Sequence, residues 1–393
     1  MPDRLSLEKL IALDDHLSEE ERMVRDTVRR FVKERYLPRA AQLFADEAFP
    51  TDLIPEIANM GLLGASIEGY GCAGMSNVMY GLALAELEYG DSGMRSFASV
   101  QGSLAMWPIA TYGSEEQKER FLPKMAAGEL IGCFGLTEPD SGSDPGSMQT
   151  RANKDGDHYV LNGTKMWITS SPVADLAVVW AKVDGGGPES IRGFIVERGM
   201  QGFETPTVHG KMSLRASPTG EIVLTDVRVP AANMLPKVEG LRGPLSCLST
   251  ARFGIAYGAL GAARACFECA VDYACERVQF DKPIASKQLI QKQLADMATD
   301  IASGQLMWLH FARLKDKQGK ISPVQVSMCK RNNVRVALEV ARKARGILGG
   351  NGILLEYPVI RHMLNLESVY TYEGTNEVHE LILGYALTGH NAF

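Results

Sequence analysis

The hydrophobic period of this chain changes twice, and nothing else in the sequence constrains the fold as much. Ser18 with Glu21 three residues later is a capping-box pattern, and behind it Met23, Val24, Val28, Phe31 and Val32 recur at helical spacing. Thr51-Asp52 opens a second helix through Leu63, Asn77 to Leu87 forms a third, and Glu115 to Ala127 a fourth, closed by Gly128. The middle third then reads as strands. His158 to Leu161 and Thr164 to Thr169 flank Asn162-Gly163, a pair that tolerates the positive φ of a tight turn, so a hairpin is expected there. Leu176 to Val183, Gly193 to Glu197 and Gly220 to Val229 are further β-rich runs, and Pro230 begins a loop carrying Pro236, Gly240 and Pro244. Helical spacing returns over Arg252 to Arg277, Gln288 to Leu314, Pro323 to Leu348 and Asn365 to Thr388. Helices, a β module and a four-helix set predict an α+β chain: an N-terminal all-α domain over 1–133, a middle β domain over 134–243 and a C-terminal helical bundle over 244–393.

A length of 393 residues suits two or three domains rather than one core. The net charge of −6 argues against nucleic acid as a main partner. No apolar run is long enough to cross a membrane. Met1 to Leu10 reads as neither a signal peptide nor an Arg-rich transit peptide, so a soluble cytoplasmic protein is expected. The seven cysteines are irregularly spaced and do not form a disulfide framework. Cys266 and Cys269 make a C-x-x-C inside a helical stretch with no second pair, which favours a structural role over metal or redox work. Gly69-Tyr70-Gly71-Cys72-Ala73-Gly74 fits G-x-G-x-x-G, but no strand–helix alternation surrounds it, so a loop between helices is the better reading. Gly349-Gly350-Asn351-Gly352 lacks the Lys-Ser/Thr pair of a phosphate loop.

Near the C-terminus, Glu373 stands between Tyr372 and Gly374, at a break between two apolar helical patterns. Phe134-Gly135-Leu136-Thr137-Glu138-Pro139, Gly142-Ser143-Asp144, Trp167-Ile168-Thr169, Arg277-x-x-Phe280 and Tyr372-Glu373-Gly374-Thr375 occur in that order. Together they make the chain resemble the acyl-CoA dehydrogenase family from end to end. The resemblance implies helices, a barrel-like middle domain and a four-helix bundle. It also implies FAD as cofactor, an acyl-CoA substrate, no nucleic-acid or membrane partner, and a homotetramer built as a dimer of dimers. Within the family the chain looks most like the members that oxidise glutaryl-CoA and decarboxylate it to crotonyl-CoA, with electrons passed to an electron-transferring flavoprotein. Asp91-Ser92-Gly93-Met94-Arg95-Ser96, Tyr372 before the base, and the tail Leu381-Ile382-Leu383-Gly384, Thr388-Gly389 and Ala392-Phe393 carry that likeness.

Oxidising a thioester between its α and β carbons needs a base for the α-proton, donors for the thioester oxygen and an electron acceptor. By resemblance Glu373 is the base. A solvated Glu with a pKa near ~4.3 is a weak one, and burial strengthens it. The backbone N–H of Glu373 and a flavin hydroxyl would supply the oxyanion donors. Arg95, with Ser96 beside it and Glu88 upstream, would face the distal carboxylate of glutaryl-CoA; a monocarboxylic tail would leave the guanidinium unpaired. Tyr372 favours the decarboxylating type. The new double bond and the thioester would form an extended electron sink, and protonated Glu373 would return its proton to the γ-carbon. Thr169 would bond the flavin near N5, with Trp167 on the ring and Ile168 between them. Phe134, Leu136, Thr137, Gly142 and Ser143 would line its edge and phosphates, and Ser143 would also touch substrate. Arg277, Phe280 and Gln288 would meet the adenosine-diphosphate part, where a guanidinium suits phosphate. Gly346, Leu348, Gly349 and Gly350 would serve a neighbouring subunit's flavin, with Thr375 and Phe393 also near the cofactor. Arg252 would reach CoA, Leu245 and Leu248 would line its channel, and Gly374 would lie against the acyl group. Asn376-Glu377 is the form general to the family, so a short-chain or branched acyl-CoA dehydrogenase that stops at the enoyl-CoA remains open, as does a non-catalytic binding protein of the same fold.

Overall fold

The computed structural model of the chain describes residues 5–392, so Phe393 lies outside the described residues. The order is helices, one curled sheet, then helices. In the first part, Ser18 caps Glu19–Phe31 with the expected reciprocal bonds to Glu21. The buried face of that helix is not quite the expected one. Met23 is 62% exposed, and Arg25 is buried instead, with its guanidinium on Asp14 and Asp26. The helix expected over Thr51 to Leu63 is shorter: a 3-10 turn over Thr51–Leu53 leads into Ile54–Asn59, and Gly61 then takes φ 71°. Asn77–Gly90 is buried on almost every side, and Ser92–Ser99 follows it after Asp91, whose carboxylate caps Gly93 N–H at 2.7 Å.

The sheet has seven strands: β1 (Gly132–Gly135), β2 (Arg151–Asp155), β3 (His158–Thr169), β4 (Leu176–Val183), β5 (Ile191–Glu197), β6 (Phe203–Glu204) and β7 (Thr219–Pro230). Their order is β1-β4-β2-β3-β7-β6, with β5 also paired to β4. The parallel pair β1 and β4 is buried on both faces, as such pairs require. The hairpin expected at Asn162-Gly163 is absent; β3 runs straight through it. Asn162 instead bonds Asp226 across the ladder to β7, where the register slips at Leu161/Gly163. The turn lies earlier, between β2 and β3, where Gly156 has φ 62°.

The last part packs Arg242–Glu276, Gln288–Gln318, Pro323–Ile347 and Pro358–Thr371 around one apolar cluster, and Asn376–Thr388 lies against Pro323–Ile347. The first of these starts ten residues before the expected Arg252, because Pro244 falls in its opening turn, where no N–H is needed. The C-x-x-C cysteines lie inside it as free thiols, and no metal-binding group of His, Cys, Asp or Glu occurs among the described residues. Gly69 to Gly74 is a loop, as read. No helix among the described residues is long and apolar enough to cross a membrane.

Candidate active site

The helix Pro358–Thr371 stops at a turn, and Asn376–Thr388 begins after it, with Thr375 as the cap on Val378 N–H. Between them Glu373 has φ 51° and Gly374 φ 93°. A Cβ on Gly374 would sit 2.9 Å from His379 Nε2 and 3.1 Å from Arg252, so only glycine fits beside the carboxylate. Glu373 Oε2 is buried and has no hydrogen-bond partner among the described residues. Burial raises its pKa, and the charges of Arg95, Arg252 and Lys330 only partly oppose that. Nor does any described group accept a bond from the Glu373 N–H. An unpaired buried carboxylate with a free backbone donor beside it is costly to maintain and points to a ligand.

Arg95 lies on Ser92–Ser99 and is 1% exposed. Its Nε donates to Glu88 Oε2 at 2.6 Å, and its Nη2 donates to the Tyr372 hydroxyl. Ser92 holds the other Glu88 oxygen at 2.8 Å. Gly258 of the long helix lets this pair lie beneath it, since a Cβ there would collide with Glu88 Oε2. The sequence expectation that a monocarboxylic tail would strand the guanidinium is therefore corrected: Arg95 is already paired without any substrate. Ser96 Oγ is buried beside Tyr372, with no hydrogen bond of good geometry among the described residues. The structure thus brings Glu88, Arg95, Tyr372, Glu373, Gly374 and Arg252 together. Leu245 and Leu248 lie on the same long helix as Arg252, the first exposed and the second half-buried.

The proposed cofactor residues fall into two groups. Phe134 and Leu136 are buried at the end of β1, Thr137 is half-buried, and Gly142 and Ser143 are exposed in the loop beyond. Ile168 is core, Thr169 is half-buried opposite Thr219, and Trp167 is 57% exposed with φ 62°. Trp167 is therefore no part of the core. The second group is elsewhere. Arg277 caps the far end of Arg242–Glu276, about 37 Å along the axis from Arg252. Phe280 is 89% exposed, Gln288 is exposed, and Gly346, Gly349 and Gly350 are exposed at the same end of the bundle, where Asn351 donates to Tyr273. Leu348 is 1% exposed in the bundle core, so the expected contact of Leu348 with a cofactor is corrected: it is a packing residue.

Sequence reasoning missed several supports. Lys165 is fully buried, donating to Glu138 Oε1 at 2.8 Å and to the Leu136 carbonyl at 3.1 Å. Glu138 in turn accepts from Thr150 N–H at 2.9 Å, so this pair fixes the segment bearing Leu136 and Thr137. Arg361 and Asn365 hold Asp91 Oδ2 at 2.6 and 3.0 Å, and Asn365 also accepts from Leu214 N–H at 2.7 Å, tying the loop before β7 to the helix that ends at Thr371, just before Glu373. Lys330 was missed too, although it lies on the apolar stripe of its helix.

The residues fit a flavin dinucleotide: an exposed indole for the ring, hydroxyls at Thr137 and Thr169, a guanidinium for phosphate, and open space over Gly142, Gly346, Gly349 and Gly350. These features, together with the buried carboxylate oxygen of Glu373, are those expected of a flavin-dependent dehydrogenase acting on a thioester. The acyl-CoA dehydrogenase N-terminal, middle and C-terminal domain families match residues 18–129, 133–227 and 239–388. The chain belongs to the acyl-CoA dehydrogenase family and is an FAD-dependent enzyme of it. Within the family it is similar to glutaryl-CoA dehydrogenase from Mycobacterium smegmatis, at 56% identity and TM-score 0.96, over 99% of this chain and 100% of that one. A second crystal structure of a glutaryl-CoA dehydrogenase from that organism, in complex with FADH2, is 52% identical with TM-score 0.97 over the same shares. The mitochondrial short-chain specific acyl-CoA dehydrogenase of Rattus norvegicus is 36% identical over 93% of this chain and 90% of its own.

Proposed function

We propose that this enzyme oxidises glutaryl-CoA and releases its distal carboxylate as carbon dioxide, giving crotonyl-CoA. The observation that carries the reading is Glu373 Oε2, buried and unpaired among the described residues, one residue from a tyrosine hydroxyl to which Arg95 donates. Glu373 takes the α-proton, its own N–H steadies the thioester oxygen, and the raised pKa suits a group that first accepts and then returns a proton. Glu88 and Tyr372 occupy Nε and Nη2 of Arg95, which leaves Nη1 for the distal carboxylate. A guanidinium shared three ways binds that carboxylate without locking it in place, as decarboxylation demands. Arg252, Leu245 and Leu248 serve the CoA end.

FAD, when bound, supplies the two-electron acceptor for the β-carbon. Thr169 and Trp167 would hold its ring, Leu136, Thr137, Gly142 and Ser143 would line its edge and phosphates, and Thr375 would lie near it. Arg277, Phe280, Gln288, Gly346, Gly349 and Gly350 would hold an adenosine diphosphate. Their distance from Arg252 along one helix favours their serving a neighbouring subunit, and so an oligomer; the proposed form is the homotetramer that the family resemblance implies. Electron-transferring flavoprotein is the proposed acceptor.

Dehydrogenation without decarboxylation is the second reading. The paired state of Arg95 and the Asn376-Glu377 sequence after the base favour it. Comparing kcat/KM for glutaryl-CoA and butyryl-CoA with an artificial electron acceptor separates the two. A single buried charge contact is worth roughly 2 kcal/mol or more, so at least a ~30-fold preference for glutaryl-CoA is expected. A preference for butyryl-CoA would favour the second reading.

A further inference from the structure

Lys330 lies on the buried face of Pro323–Ile347, among Val326, Cys329, Asn333 and Val334, and is itself 1% exposed. Among the described residues no carboxylate forms an ion pair with it. Its ammonium instead donates to the carbonyls of Tyr370 at 3.5 Å, Tyr372 at 3.1 Å and Gly374 at 2.8 Å. Arg252 Nε takes the carbonyl of Glu373. Two cations from two different helices thus collect the carbonyls that a helix end leaves over, on both sides of Glu373. The turn they hold is an uncommon one, since Glu373 is a non-glycine residue at φ 51°. Such a conformation persists only where its surroundings over-determine it.

We propose that Lys330 is a positioning residue for the reaction, holding the Glu373 turn by its flanking carbonyls so that Oε2 faces the buried site. This rests on reading Glu373 as the base. Lys330 also acts through its charge. Arg95 on Ser92–Ser99, Arg252 on the long helix and Lys330 face Glu373 as cations, with Tyr80, Glu88, Tyr372 and His379 around them. Lys330 itself feels Glu373 and Glu377 against Arg252 and Arg95, and burial brings its pKa down to about 7. Removing the cation therefore makes Glu373 harder to ionise.

The test compares flavin-loaded Lys330→Met, Lys330→Gln, Lys330→Arg and Glu373→Gln by kcat, KM and the pH profile of kcat. Lys330→Met is expected to lose about 10²-fold in kcat, the scale of a small misplacement of a reacting group, with KM changed little. Its acid limb moves to higher pH, and Lys330→Gln, which keeps a donor but no charge, shows the same displacement. Lys330→Arg recovers most of kcat and the original limb. Wild-type kcat and an unmoved limb in Lys330→Gln would overturn the proposal, whether or not Lys330→Met folds. If Glu373→Gln is inactive while the Lys330 variants behave as wild type, only the role of Lys330 fails. If Glu373→Gln turns over normally, the base reading itself fails.

Discussion

Glu373→Gln is expected to keep its flavin absorbance and lose about 10³-fold or more in kcat, the contribution of a well-placed general base. The amide matches the carboxylate in shape, so the turn between Tyr372 and Thr375 and its contacts with Arg252 and Lys330, all through backbone carbonyls, stay intact. What is lost is the ability of Oε2 to accept a proton in a site where nothing else described reaches it. The wild-type pH profile checks the same group independently. A base works only when ionised, and burial raises the pKa of Glu373. Activity therefore falls as pH drops through a value above the ordinary carboxylate range. Steady-state kinetics from acid to neutral pH measures it; a limb at or below the solvated range would remove Glu373 from the role.

Arg95→Met carries the second large effect. It is expected to raise KM for glutaryl-CoA by about 30- to 5,000-fold, the range for truncating one member of a buried charge pair, while KM for butyryl-CoA changes by a small factor. The ion pair complicates this substitution. Arg95 and Glu88 are 1% and 0% exposed, so methionine alone leaves a buried carboxylate that, among the described residues, only Ser92 holds. Breaking such a pair costs about 3–5 kcal/mol of stability. Adding Glu88→Gln removes the stranded charge. The double variant should recover thermal stability but not glutaryl-CoA affinity. Recovery of both would show that Arg95 supports the fold rather than reading the substrate.

Much of this was legible in the sequence because local physics and the final structure agree. The capping box at Ser18, the strand run Leu176 to Val183 and the break at Glu373 are each set by neighbours in sequence. The failures come where distant contacts decide. Asn162-Gly163 has the chemistry of a tight turn, yet pairing with Asp226 on β7 carries the strand through it. Met23 sits on the apolar spacing, yet the pull of Asp14 and Asp26 on Arg25 rotates the buried face. At the site, motif residues could be named but not their partners. Glu88 and Tyr372 on Arg95, and the carbonyl grip of Lys330, depend on elements that meet only in the folded chain. Lys330 left one trace: a lysine among Val326, Cys329, Asn333 and Val334 on a helical stripe must find partners when buried.

The most direct test is to turn over glutaryl-CoA with the flavin-loaded enzyme and count products against electrons. One carbon dioxide and one crotonyl-CoA should emerge for every two electrons reaching the acceptor. Electron uptake with an unsaturated dicarboxylic thioester and no carbon dioxide would contradict the account.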